Sequence, residues 1–334
     1  TPLLEKDVAS YLFTVNRLGT RPANKYTVLG NFAGAALDDI INGNGRYLWQ
    51  ETFKKNFKDK ALEYCTCDDL NRKEDFRAAA LRQTQNIQEI VTKLFGDLHS
   101  DPKKPHKAGS FSREKAVLEP SFVCEQLGLQ GRVDLMTTDF KLLVEQKAGS
   151  NYNIQSQKPN EYGSFQKEEH YVQLLLYYGV LRQNFHVPSN KIDMRLLYSK
   201  YPLPGGLVVV NFYQKLFREA IGLRNRIVAH EYSFALNGFE GTTDMLSADI
   251  INEKKLATPF YFKYIQPRLD AVINPLHNLS PLEKAYYERM MTFVYREQLA
   301  AKVGEQEGVG NSTADLWNMP LANKKEAGNI YTEL

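Results

Sequence analysis

The chain has 334 residues, of which 43% are hydrophobic and 24% charged, with a formal net charge of +3. That length supports one large core or two modest ones, and no apolar run approaches the ~20 residues of a membrane span. A nearly balanced charge excludes wholesale coating of nucleic acid but permits a local basic channel.

Residues 6 to about 98 read as mostly helical, with periodic apolar positions at Leu37, Ile40 and Ile41 and again at Ile87, Ile90 and Leu94. Lys54, Lys55, Lys58 and Lys60, then Lys103, Lys104 and Lys107, are candidate basic stretches, each equally a solvated face or loop. Residues 101–112 form a Pro-, Lys- and Gly-rich loop ahead of the strands. AVLEPSF then places Glu119 near the end of an apolar strand, and GLQG leads into Asp134.

The stretch GRVDLMTTDFKLLVEQKAG is the most informative in the chain. It reads as a strand over 131–136, a tight turn over 137–139 and a second strand over 140–147. Side chains alternate along a strand, so Glu145 and Lys147 share one face while Val144 and Gln146 share the other. Asp134 on the partner strand can then stand beside Glu145. Two carboxylates with an ammonium beside them suit a hard cation such as Mg²⁺, and metal-assisted hydrolysis of a phosphodiester. The alternative for the same residues is a surface hairpin with a Glu145–Lys147 salt bridge.

Residues 151–164 form a polar loop whose place suits a flap. EEHYVQLLLYYGVL follows as an amphipathic helix on which Gln173 and Tyr177 lie four apart on one face, with His170 three residues earlier. His170 could reach phosphate or metal, although a structural role is the reading preferred. Residues 195–199 read as another strand, and helices resume from about Phe212. Arg224 and Arg226 are further basic candidates, and RNRIVAHEY puts His230 at a helix end. SPLEKAYYERMMTFVYREQLAAKV reads as a long helix with Ser280 as N-cap and Pro281 at its first position. Its Tyr286, Tyr287, Phe293 and Tyr295 could stack on unpaired bases, but core packing is the expectation for most. The last segment follows a Gly-rich VGEQEGVGN linker, and its closing NIYTEL reads as the opening strand of another domain.

An acid on a strand, G-x-D, E-x-K and Q-x-x-x-Y on a helix occur in that order. The series resembles the RecB-like branch of the PD-(D/E)xK nuclease superfamily over about residues 117–180. The likeness is nearest to nuclease domains fused to superfamily 1 helicases and to the CRISPR-adaptation nucleases. The resemblance implies an α/β, restriction-endonuclease-like core, a mixed central sheet flanked by helices, with additional helical segments before and after. It makes Asp134 and Glu145 metal ligands for Mg²⁺ or Mn²⁺, with the backbone carbonyl of Gln146 completing the set. Lys147 becomes the catalytic lysine, and Gln173 and Tyr177 line the site and contact the DNA backbone. Glu119 matches an additional acid, either a supporting group or a ligand of a second metal.

Two departures from the family pattern bear on chemistry. Relatives carry a metal-binding histidine on an early helix, where VLGNFAGAALDDII has Gly34 or Ala35. Asp38 and Asp39 on that helix could approach a metal, but a solvated face is the expectation. Some relatives hold an iron–sulfur cluster on four thiolates, and this chain has only Cys65, Cys67 and Cys124, so no such cluster is expected. Cys65 and Cys67 are also too close for usual zinc spacing, and scattered thiols fit a reducing, cytoplasmic setting.

The expected organisation is a helical part over 1–115, a nuclease core over 116–200, a helical part over 201–303, and a linker with the start of a following domain over 304–334. Starting at Thr1 and lacking a G-x-x-x-x-G-K-[ST] phosphate loop, the chain reads as a nuclease domain cut from a helicase-nuclease for DNA replication or repair. The expected substrate is single-stranded or flap DNA. The alternative is a catalytically weak DNA-binding module that guides a strand toward a helicase.

Overall fold

The computed structural model describes residues 24–43, 47–70, 75–96, 109–151, 166–188, 191–252, 255–303, 319–326 and 328. The expected flap from 152 on, Lys103, Lys104 and Lys107, and the closing NIYTEL lie outside the described residues. Two compact units are present, one spanning Arg21–Ile221 and the other described from Gly222 onward.

The first unit is built on two apolar helices. Helix α1 (Lys25–Asn42) begins where the Asn24 side chain accepts hydrogen bonds from the backbone N–H groups of Tyr26 and Thr27. It is followed by α2 (Trp49–Asp59) and the short α3 (Ala61–Cys65). Helix α4 (Phe76–Phe95) is capped by Asp75. Small residues at Ala33, Ala36, Ala79 and Ala80 are all buried, and Leu37, Ile40, Ile87, Ile90 and Leu94 fill one core with them. Each such leucine or isoleucine contributes ~1.5–3 kcal/mol relative to exposure.

The same core takes in Leu135, Leu142 and Val144 from the strands. Among the described residues these are β1 (Ala116–Leu118), β2 (Ser121–Cys124), β3 (Leu129–Arg132), β4 (Leu135–Thr137), β5 (Leu142–Lys147), β6 (Asp193–Tyr198) and β7 (Leu207–Val210). A five-stranded mixed sheet runs in the order β1-β4-β5-β6-β7, with only β5 and β6 parallel. A parallel pair needs a crossover, and α5 (Glu168–Phe185) lies between β5 and β6 in the chain. The unit is thus mixed α/β with helices flanking its sheet. Strand β7 escaped the sequence reading, although its LVVV run between Gly206 and Asn211 carries a strand signal.

The expected strand over 131–136 is broken in two. β1 pairs with β4 and β2 pairs with β3 in one continuous register, joined by Glu119 N–H donating to the Asp134 carbonyl and Val133 N–H to the Pro120 carbonyl, both at 3.1 Å. The result is one hairpin bent at its middle. Its inner half belongs to the five-stranded sheet, and its outer half forms a two-stranded arm. Glu119 takes a left-handed φ of 49° at the bend, and Pro120 has no N–H to extend a ladder. Asp134 sits at that bend.

The second unit is helical. Helix α6 (Gln214–Asn237) carries residues of both units; α7 (Thr242–Met245), α8 (Ala248–Ile251), a π-turn (Tyr261–Ile265), α9 (Gln266–His277) and α10 (Pro281–Val303) follow, then α11 (Leu321–Glu326). Phe234, Phe239 and Tyr295 stack at its centre, with ring centroids 5.0 to 5.9 Å apart. Ser280 and Glu283 form the expected cap of α10, the Ser280 N–H donating to Glu283 at 2.8 Å. Of the four aromatic candidates, Tyr295 and Tyr287 belong to the core while Tyr286 and Phe293 are exposed. His230 is not at a helix end, because the helix continues to Asn237. No described helix is long and apolar enough to cross a membrane.

Candidate functional site

Strand β5 reads LLVEQK, and its first three side chains are buried apolar ones that fix the strand in the sheet. Polar character begins only at its end, with Glu145, Gln146 and Lys147. Extending the β4–β5 register by one residue places Asp134 opposite Glu145, and the Gln146 N–H donates to Asp134 Oδ2 at 2.6 Å. The bent hairpin thereby brings a second carboxylate to the strand that carries the first.

Glu145 is only 2% exposed. Its Oε1 accepts from the Lys147 ammonium and from Gln173 Nε2 at 2.6 Å. Its Oε2 is buried and has no hydrogen-bond partner. Gln173 also accepts a hydrogen bond from Lys147 on its Oε1 at 3.1 Å and donates to the Tyr177 hydroxyl at 3.1 Å. The amide thus ties the carboxylate, the ammonium and the phenol together from α5. Glycine at 131 lets the Tyr177 ring lie against β3, since a Cβ there would come within 2.6 Å of it.

Burial disfavours charge here. It pushes the Glu145 carboxyl up to about 8, with the Asp134 carboxylate adding to the push and Lys147 opposing it. Asp134 is raised mainly by burial, against the pull of the Gln146 N–H and Lys147. These two carboxyls stand within reach of a shared proton, although Glu145 Oε2 has no donor. Two acceptors face each other, and only a proton or a cation satisfies both.

Asp38 belongs to this group and not to a solvated helix face. It is half-buried, and burial followed by Glu119, Asp134 and Asp39 pushes its carboxyl up to about 7. Asp39 instead accepts a bond from the Thr52 hydroxyl at 2.5 Å. Glu119 stands at the bend, 3.1 Å from Arg132. His170 faces β6, with Nδ1 3.1 Å from the Tyr198 hydroxyl. Burial, helped by Lys147 and Lys167, holds its imidazole down to about 3, so it stays neutral at ordinary pH.

A buried polar brace steadies the end of β5. Gln83 on α4 donates to the Ala148 carbonyl at 3.0 Å and accepts from the Ser199 hydroxyl at 2.6 Å. Asn86 donates to the Ser199 carbonyl at 2.9 Å, and the Ser199 N–H donates to the Lys147 carbonyl at 3.0 Å. Arg132 and this brace escaped the sequence reading, and Asp38 was expected on a solvated face, since each depends on partners from other elements.

The structure brings Asp134, Glu145, Gln146, Lys147, Gln173 and Tyr177 into one connected cluster, with Glu119 beside it and His170 on the β6 side. For a divalent cation the donors are the Asp134 and Glu145 carboxylates, and the orphaned Glu145 oxygen fits that use. Among the described residues no three His, Cys, Asp or Glu side chains gather closely enough to hold a metal, so such a site would draw on main-chain oxygen and solvent as well. No protein-family model matches this chain, and no curated protein matches it.

Proposed function

We propose that the chain is a metal-dependent deoxyribonuclease domain of the RecB-like PD-(D/E)xK type, built on a restriction-endonuclease-like core. The observation that carries this reading is the buried Glu145 Oε2, an acceptor without a donor, on a carboxylate that stands beside the half-buried one of Asp134. Asp134, Glu145 and the Gln146 carbonyl would hold Mg²⁺ or Mn²⁺. When bound, the cation would supply a Lewis acid that neutralises the two carboxylates, favours deprotonation of water and stabilises charge on the phosphate. Lys147 orients the attacking water and offsets negative charge growing on the scissile phosphodiester. Gln173 fixes the ammonium toward Glu145, and Tyr177 holds Gln173 in turn. Single-stranded or flap DNA is the substrate proposed, with a helicase in the same full-length chain and a cytoplasmic setting.

The test is cleavage of labelled single-stranded and flapped DNA in Mg²⁺, Mn²⁺ or EDTA, beside Lys147→Ala. Metal-dependent cutting that disappears in the variant supports the reading. A second reading is favoured by the absence of a three-ligand group among the described residues. The fold would then guide DNA without cutting it, and binding would persist without cleavage under every metal condition.

A further inference from the structure

The acids at the hairpin bend answer to two cations among the described residues. Lys147 acts on Asp134 and Glu145, and Arg132 acts on Asp38 and Glu119. Their situations differ. The Lys147 side chain is 19% exposed and already holds Glu145 and Gln173, so it faces inward. The Arg132 side chain is 62% exposed, and its ion pair is with a Glu119 that is itself 42% exposed. A pair so open to water contributes little and breaks at little cost. The guanidinium fork matches phosphate oxygens and, unlike the Lys147 ammonium, is open to solvent.

Arg132 also has a fixed base. It ends β3 opposite Ser121, next to the Gly131 that packs on the Tyr177 ring. Asp134 lies two residues on, at the bend between β3 and β4. The guanidinium thus lies close enough to the acid cluster to act on Asp38 and Glu119 while remaining open to solvent.

We propose that Arg132 is a phosphate-binding residue for a nucleic-acid strand, resting on Glu119 when no strand is present and transferring to a non-bridging phosphate oxygen when one arrives. The inference rests on the nuclease reading for the identity of its ligand. Glu119 then acts as the resting counter-charge, and its left-handed backbone at the bend holds it where the arginine can return.

The experiment uses the full chain and a labelled oligodeoxythymidylate, with affinity read by fluorescence anisotropy in EDTA over a range of salt, and cutting read separately in Mg²⁺. Arg132→Ala is expected to weaken binding about tenfold and to flatten the salt dependence by about 0.7 in log–log slope, the share of one phosphate contact on a single strand. Arg132→Lys should restore part of the affinity through charge alone. Glu119→Gln breaks the same ion pair but should tighten binding in EDTA, because it frees the guanidinium and removes a negative charge. Equal weakening in Arg132→Ala and Glu119→Gln would show a merely structural pair and overturn the proposal. Unchanged affinity in Arg132→Ala would overturn it as well, and cutting by the unaltered chain would then leave the nuclease reading standing alone. Neither binding nor cutting by the unaltered chain sinks both. Binding that depends on Arg132 without any cutting upholds the proposal on the guide-module reading.

Discussion

Among the described residues each unit buries one glutamate, and the two are treated in opposite ways. In the helical unit, Glu288 on α10 accepts the Gly241 N–H at 2.9 Å and the Thr243 hydroxyl at 3.2 Å. It staples the turn after α6 to α10, beside a second staple from the Phe239 N–H to Thr292 at 3.0 Å. In the α/β unit, Glu145 crowds an ammonium and an amide onto one oxygen and leaves the other without a donor, beside a second carboxylate. A buried carboxylate whose donors are local backbone and hydroxyl groups is explained by folding. One left short of donors next to another acid is explained by what it can bind.

That contrast breaks most sharply under substitution. Asp134→Ala, Glu145→Ala and Lys147→Ala are each expected to lower DNA cleavage by ~10³-fold or more while leaving the circular dichroism spectrum close to that of the unaltered chain. Wild-type cutting in any one of them removes that residue from the machinery. Glu288→Ala should do the reverse. It strands the buried Thr243 hydroxyl, removes the acceptor of the Gly241 N–H and costs about 1–3 kcal/mol in urea unfolding, with the cleavage rate unmoved. Gln83→Leu removes the partner of the Ala148 carbonyl and leaves the Ser199 hydroxyl only its longer bond to the Lys147 carbonyl at 3.4 Å, with a similar loss expected in the same assay.

Acidity tests the acid pair of the α/β unit directly. The folded carboxyls of Asp134 and Glu145 are raised above their unfolded values, so between about pH 5 and 8 the folded state holds more protons than the unfolded one. Stability in EDTA should therefore fall as pH rises through that window. Mg²⁺ takes the place of the proton, so melts in Mg²⁺ should lose most of that decline. Parallel curves with and without Mg²⁺ would count against a cation at this pair. The smallest effect expected is from Gly131→Ala, whose added carbon presses on the Tyr177 ring and loosens Gln173. A severalfold lower kcat with little change in melting temperature is the expected signature.

Local residues made much of this site legible. Strand alternation put Glu145 and Lys147 on one face, the hairpin opposed Asp134 to Glu145, and helical spacing set Gln173 over Tyr177. The bend itself was not legible, because Val133 and Asp134 continue a strand pattern and only the left-handed Glu119 across from them breaks it. Asp38 read as a polar helix face because its neighbours at Glu119 and Asp134 come from a different element. The brace between Gln83 and Ser199 joins residues 116 apart, beyond any local pattern. Helix length was also misjudged at His230, which was placed at a helix end where a cation suits the dipole, whereas α6 runs on to Asn237.

Glu119 carries a consequence for how such a chain changes under selection. A non-glycine residue held at a φ of 49° costs about 1 kcal/mol or more against glycine in the same place. Selection for heat tolerance alone would replace it with glycine or asparagine early. Selection for strand capture would not protect the carboxylate either, since its loss is expected to tighten binding, so stability-evolved lineages that keep Glu119 must need the negative charge at the bend for letting a strand go.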